Sequence, residues 1–247
     1  MKRRLVHMLL TETGAELRKA FRAPEFIIPT LALPFAFYML FGIMLSRSAA
    51  GAATLLATYG IFAVMGPALF GFGAGVANER ELGWLGIKRA APAPAMTYIG
   101  AKLLTTIVFA SFALMPIYAA AGFVGDVALA RSAWVALLVS HLLAVVPFAL
   151  LGLAFGFRFG ANAAIALSNV AFLSLAVLGG LWFPIQIFPA VMQAIAGWLP
   201  SFHLAEVSLA IVGARPDGDT GFHLLVVGIM SAVFAVLAGL AWLRQKS

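Results

Sequence analysis

Asn78 to Met96 reads NERELGWLGIKRAAPAPAM, a polar island in a chain that is otherwise mostly apolar. It holds five charges, Glu79, Arg80, Glu81, Lys88 and Arg89, followed by Pro92 and Pro94. Apolar segments long enough to cross a bilayer, which takes about 20 helical residues, lie on both sides. A charged island between two crossings reads as a handle on one membrane face. Something outside the membrane can use it to move the helices inside.

The rest of the composition agrees with a membrane location. The 247 residues are 63% hydrophobic and 10% charged, and the mean hydropathy is +1.04. A soluble domain carries about 25% charged residues. In lipid every backbone polar group must be satisfied internally, so the expected fold class is an all-α integral membrane protein, a helical bundle. The net charge of +7 does not mark a nucleic-acid partner, because the basic residues are scattered at segment ends, as topology signals are. With no cysteine there is no disulfide framework, thiolate metal site or cysteine nucleophile. The basic start (Lys2, Arg3, Arg4) precedes an apolar run that stops at Leu10, too short for a signal peptide, so this segment is expected to be retained.

Outward from the island, residues 1–247 read as a single transmembrane domain. Residues 1–24 form an N-terminal amphipathic interfacial helix: Leu5, Met8, Leu9, Leu17 and Phe21 can share a face, with Glu12, Glu16, Arg18 and Lys19 elsewhere. Six crossings follow at about 27–46, 54–77, 97–122, 134–157, 162–183 and 222–243. Gly71 and Gly75 make a GxxxG spacing in the second, and Gly152, Gly156 and Gly160 make two such steps at the end of the fourth; the spacing lets another helix approach closely. Residues 184–221 are a long connection. Its part 185–200 is too short to cross and is bounded by Pro184 and Pro200, so it reads as a short re-entrant hairpin or interfacial helix. With the N-terminus inside, the inner face receives 13 of the 16 Lys and Arg residues and the outer face only Arg47, Arg131 and Arg215. This bias puts both termini and the island (78–96) in the cytoplasm and the hairpin outside.

Chemistry is sparse. There is no GxxxxGK[ST] phosphate loop and no HExxH or other metal-spaced cluster, so no catalytic residue and no metal site is assigned. Gly71-Phe72-Gly73-Ala74-Gly75 resembles a nucleotide loop only superficially and reads as helix packing. No Asp or Glu lies in the middle of a crossing, where an ion-coupled transporter would need one. His141 and Asn169 are candidates for a substrate path, and both also suit interhelical hydrogen bonding. Asn162 reads the same way. His203, Glu206 and His223 are the only outer-side cluster, where one metal or one hydrogen bond could join His203 to Glu206. The aromatic residues Phe35, Phe37, Tyr38, Phe62, Phe70 and Phe72 suit packing or lipid contact before cargo. A bundle without a visible internal energy source points to a partner that supplies it.

Two patches resemble a known family. One is Glu79-Arg80-Glu81-Leu82-Gly83-Trp84 with Arg89, Pro92 and Lys102; the other is Gly179-Gly180-Leu181-Trp182-Phe183-Pro184 with Phe188-Pro189 and Leu199-Pro200. In these topological places they are similar to segments of the permease subunits of ABC-2 type ABC transporters, bacterial exporters of drugs, lipids or glycans. The resemblance covers almost the whole chain; Trp84 departs from the small hydroxyl residue of many relatives. It implies a dimer of permease chains, homodimeric or with a paralogue, in the bacterial inner (plasma) membrane. It also implies two copies of a separate ATP-binding subunit. ATP and Mg would bind that partner, and no cofactor this chain. The resemblance makes Glu79, Arg80, Glu81, Gly83, Trp84, Lys88 and Arg89 the coupling segment. The outer cap would be the hairpin marked by Gly179, Gly180, Pro184, Pro189 and Pro200. The expected function is ATP-driven export of an amphipathic or lipid-like substrate. The alternatives are an ion-coupled secondary transporter, a membrane enzyme or a non-transporting assembly scaffold.

Overall fold

The computed structural model describes residues 2–22, 24–46, 48–86, 95–216 and 218–244. Lys88, Arg89 and Pro92 lie outside them. The described residues hold helices and turns and no strand. In chain order these are α1 (Lys2–Phe21) and α2 (Pro24–Phe37), which runs on as π-helix over Tyr38–Leu45. Next come α3 (Ala49–Phe72), α4 (Ala74–Glu81), α5 (Ala95–Phe123), α6 (Arg131–Leu143), α7 (Val145–Arg158) and α8 (Ala161–Leu178). The last are α9 (Ala190–Ala196), α10 (Pro200–Ile211) and α11 (Thr220–Leu243).

Five helices or helix pairs are long and apolar enough to cross a membrane: Ala49–Glu81, Thr97–Phe123, Arg131–Arg158, Ala161–Leu178 and Thr220–Leu243. The count becomes six if α9 and α10, which meet at 87°, make one broken span. The segment expected at 27–46 is the shorter apolar helix, Thr30–Leu45.

The α3–α4 helix is the axis of the bundle. Its apolar window is 83% buried, against 11% for α11. Ser48 caps its start, accepting from the Gly51 N–H at 3.1 Å. From Leu56 to Phe70 every residue is buried. Around it α2, α3 and α8 lock through aromatic rings. Phe62 stacks on Phe172 at 4.9 Å between centroids and meets Trp182 edge-on at 5.4 Å, and Phe37 meets Trp182 at 5.1 Å. In lipid, helices gain nothing by hiding apolar surface from water, so close contact of this kind holds them together. The aromatic residues Tyr38, Phe62, Phe70 and Phe72 are therefore packing groups. By contrast α11 turns Leu225, Ile229, Val233 and Val236 outward, a face suited to lipid.

The structure moves the close glycine contact. Gly71 and Gly75 leave ordinary space for a Cβ. The tight site is Gly73, where the helix breaks between α3 and α4, facing Gly152 and Gly156 of α7. A Cβ on Gly152 would lie 2.7 Å from the Leu69 carbonyl oxygen, and one on Gly156 would lie 2.5 Å from that of Phe72. The neighbours are backbone and cannot swing aside. At the break the spacing motif belongs to α7 alone, and α3 meets it with a single glycine.

Two further differences concern the ends. In α1 the buried positions include Thr13 and also Glu16, which was expected off the apolar face, while Val6 and Leu10 are exposed. In the connection after α8, residues 200–211 are a packed helix rather than loop. Ser201, His203, Leu204, Ala205, Val207, Ser208 and Leu209 are buried there. Pro200 occupies the first turn, where its missing N–H costs nothing.

Gly156→Ala should force α7 away from α3 and lower thermal stability in detergent by about 1–3 kcal/mol. Gly122→Ala, placed in open space on α5, should leave the unfolding midpoint unchanged in the same assay.

Candidate functional site

The charged segment begins on α4. Successive helical residues are offset by about 100°, so three consecutive charges point three ways, and each has a partner within the chain.

Glu79 faces inward and is 3% exposed. Lys102 of α5 donates to Glu79 Oε1 at 2.9 Å and to Glu16 Oε2 of α1 at 3.0 Å. Lys19 of α1 and Tyr98 of α5 also donate to the Glu79 carboxylate. Lys102 lies 5.4 Å from the Tyr98 ring centroid, over its face. Glu16 and Lys102 are buried with Glu79, while Lys19 reaches solvent. The pairs between Glu16, Glu79, Lys19 and Lys102 make a cluster that ties α1, α4 and α5 at one end of the bundle. Burying a lone charge there would cost several kcal/mol, and mutual pairing offsets it.

Arg80 and Glu81 hold the next corner. Arg80 donates to the carbonyl oxygens of Phe157 and Phe159, the latter at 2.6 Å, at the open C-terminal end of α7. Glu81 accepts the Ala161 N–H at 2.8 Å, at the N-terminus of α8. Each charge has the sign that its helix end favours. A Cβ on Gly160 would lie 2.7 Å from the Glu81 carboxylate, so the glycine makes room for this clasp.

The chain then turns at Gly83, φ +75°, a left-handed conformation that glycine adopts without strain. Leu85 folds back and is buried, whereas Leu82 and Trp84 are 63% and 55% exposed. Two large apolar side chains thus stand outside a charged base. The last turn of α11 lies at the same end of the bundle: Trp242 meets Phe157, whose carbonyl Arg80 holds, at 4.9 Å between centroids.

The second patch marks the opposite end of α3. Gly179 sits where a Cβ would strike Ser201 Oγ at 2.1 Å, and Ser201 donates to the Leu175 carbonyl at 2.8 Å. Gly180 turns with φ +72°. Pro184 precedes a short 3₁₀ turn, Pro189 caps α9 and Pro200 opens α10. These residues set the path of the chain between α8 and α10. Tyr59 of α3 fastens it by donating to the Trp182 carbonyl at 3.3 Å.

The remaining candidates separate. His141 is fully buried in the notch left by Gly60. Its Nε2–H donates to the Ala57 carbonyl at 3.0 Å, and its Nδ1 accepts from Tyr118 at 2.9 Å. Asn169 faces outward and donates to the Ile165 carbonyl of its own helix at 3.0 Å. Asn162 is also exposed. His203 pairs with His223 through their Nδ1 atoms at 2.8 Å and donates from Nε2 to the Gly197 carbonyl at 2.9 Å. Glu206 pairs instead with Arg215 at 3.2 Å, while His203 pairs with His223 and the Gly197 carbonyl. Among the described residues no group of three or more His, Asp or Glu is placed to hold a metal ion.

The internal partners Lys19, Glu16 and Tyr98 were not foreseen. The visible signal was charge balance: two acidic residues on α4 against basic residues near the starts and ends of other helices.

The comparisons with known proteins follow this geometry. A family model described as ABC-2 family transporter protein matches residues 43–240. A Bacillus subtilis (strain 168) protein, "Putative transport permease YvfS", is 27% identical over 245 residues, covering 98% of each chain.

Glu79→Ala should destabilise the chain by about 3 kcal/mol, since it leaves Lys102 buried with half its partners. Glu81→Ala, which removes only an exposed cap, should cost about 1 kcal/mol. Thermal unfolding of the two variants in one detergent checks the order.

Proposed function

Because the chain belongs to the ABC-2 family of transporter proteins, a membrane transport permease that generally partners an ATP-binding subunit, we propose that it is the membrane-spanning part of an ATP-driven exporter. Residues 78–96 would be the segment on which the ATP-binding subunit acts. The observation that carries this reading is the wiring of α4: Leu82 and Trp84 stand exposed, while the three charges just before them grip α1, α5, α7 and α8. A push on the exposed pair reaches four helices at once. Trp is a residue type that anchors interfaces, and a charged surround suits a rim.

Orientation supports the same picture. α1, α4 and the end of α11 share one end of the bundle, with Lys19, Arg80, Lys102, Arg158 and Arg244 there. The bias of Lys and Arg makes that end cytoplasmic and puts both termini inside. Counting α2 with its π-helical extension as a crossing gives six, with α9 and the α9–α10 bend as the re-entrant outer hairpin. The exposed Val6 and Leu10 of α1, beside its basic residues, suit a helix in the membrane interface. Two permease chains, identical or paralogous, would assemble with two ATP-binding subunits in a bacterial inner membrane. ATP and Mg would bind the partner. The cargo is an amphipathic or lipid-like molecule. The ion-coupled alternative gains nothing from His141, whose two ring nitrogens are occupied by a carbonyl and a hydroxyl.

Trp84→Ala and Leu82→Ala remove exposed groups, so the chain should insert and unfold as the parent does. The double variant should lose at least tenfold in co-purification of a nucleotide-binding subunit from the native host membrane. Undiminished co-purification and transport would exclude 82–84 as the docking element.

A further inference from the structure

Two histidines join α10 to α11 at the end of the bundle that carries Gly179 and Ser201. His203 is buried, 2% exposed, and His223 stands in the first turn of α11. Their ring centroids lie 5.0 Å apart and their Nδ1 atoms 2.8 Å apart. Two aromatic rings close around them. Phe202 lies 5.9 Å from His223 and Phe222 lies 6.0 Å from His203, between centroids.

The hydrogen bonds fix where each proton sits. The Gly197 carbonyl can only accept, so His203 Nε2, at 2.9 Å, must carry a hydrogen. The neutral ring then has a bare Nδ1, and the contact between the rings requires that His223 Nδ1–H donate to it. His223 Nε2 carries the remaining lone pair. A first added proton can go there with both hydrogen bonds kept. A second has only His203 Nδ1 to go to. It would meet the His223 N–H head-on, and two imidazolium cations would stand side by side. Like charges at that distance repel strongly in apolar surroundings, and the contact can only open.

The neighbouring charges do not remove this conflict. Among the described residues, Glu206 and Asp219 are the carboxylates that act on His223. Glu206 is held by Arg215 at 3.2 Å, and Asp219 accepts the Phe222 N–H at 3.0 Å. Both favour the first proton, on His223. Of the other helices packed on α10 and α11, α3 and α8 carry no charged residue. α6 carries Arg131 at its start and His141, which is bound to Ala57 and Tyr118, and α7 carries Arg158 in its last turn.

We infer that His203 and His223 form an acid-opened latch. The pair holds α10 against α11 while it carries at most one added proton, and it releases when the medium supplies a second. That the medium is the external one rests on the orientation proposed above; control of the outer end by external acidity goes beyond that reading. α10 also carries Ser201, tied to the Leu175 carbonyl of α8, so release loosens the segment that caps this end.

The chain has no cysteine, so two introduced ones report without background. Trp198→Cys, beside Gly197, and Leu225→Cys, two residues past His223, both replace exposed side chains. Spin labels at these positions, in the purified full chain in detergent with EDTA, give the spacing by double electron–electron resonance. No ATP-binding subunit takes part, so failure here is distinct from failure of the docking experiment. Between about pH 8 and about pH 5, where histidine ordinarily changes charge, the distances should become longer and broader, and return on neutralisation. His223→Asn keeps an N–H donor where Nδ1 stood and cannot take a charge. It should abolish the shift and hold the short distance at both pH values. Glu206→Gln removes a carboxylate that favours the charged ring, so it should move the transition to lower pH without reducing its size.

Thermal unfolding of the unlabelled chains gives a second reading. The unfolded histidines take up protons that the closed pair does not, so stability falls as pH falls. The parent should therefore lose more of its unfolding midpoint between these pH values than His223→Asn does. An unchanged label distance in the parent at the lower pH, a shift that persists in His223→Asn, or equal midpoint losses in the two chains would overturn the latch.

Discussion

A charge buried at the edge of a membrane has to find its opposite inside the protein. Glu79 meets this constraint through Lys102, Lys19 and Tyr98, and Lys102 in turn reaches Glu16. Apolar contacts between helices are weakly selective in lipid, because lipid tails offer much the same surroundings. The charged cluster is directional, and removing any member strands another. It therefore decides which helices travel together: α4 cannot leave α5 or α1 without exposing or orphaning a charge. Arg80 and Glu81 extend the group to the α7–α8 corner by matching the partial charges of two helix ends.

From that corner the connection to the other end of the molecule is short and stiff. α3 is unbroken from Ala49 to Phe72. Gly73 lies against Gly152 and Gly156 with no side chain between the backbones. At the far end Tyr59 holds the Trp182 carbonyl, and Ser201 holds the Leu175 carbonyl. Packed interiors do not deform smoothly, so a displacement applied near Leu82 and Trp84 can pass along α3 to the chain between α8 and α10. The α3–α4 pair, broken at Gly73, thus joins the proposed handle to the proposed outer cap.

Much of this architecture was legible in the sequence, for identifiable reasons. Long apolar stretches marked α3, α5, α6–α7, α8 and α11, because bilayer thickness sets a length that few other structures require. The polar island stood out because its neighbours are so apolar. Residues 200–211 escaped notice because a helix buried among others can mix Ser, His and Glu with Leu and Val, which dilutes any hydropathy average. The glycine contact was misassigned because GxxxG records spacing on one helix and says nothing about the facing backbone. Gly73 belongs to no such pair, yet it is the glycine that Gly152 and Gly156 meet. The inward pairing of Glu79 was hidden for a related reason. Its partners Lys19 and Lys102 lie 60 and 23 residues away, and no local pattern couples residues across such distances.

The position of Lys102 joins two features of the bundle physically. It lines a cavity of about 460 Å³ between α1, α2, α3, α4, α5 and α8 and also pairs with Glu79 of α4. A displacement of α4 would pull on the same ammonium group and change the shape of the cavity's polar end. One buried lysine thus belongs both to the wall of the cavity and to the charged cluster that holds α4.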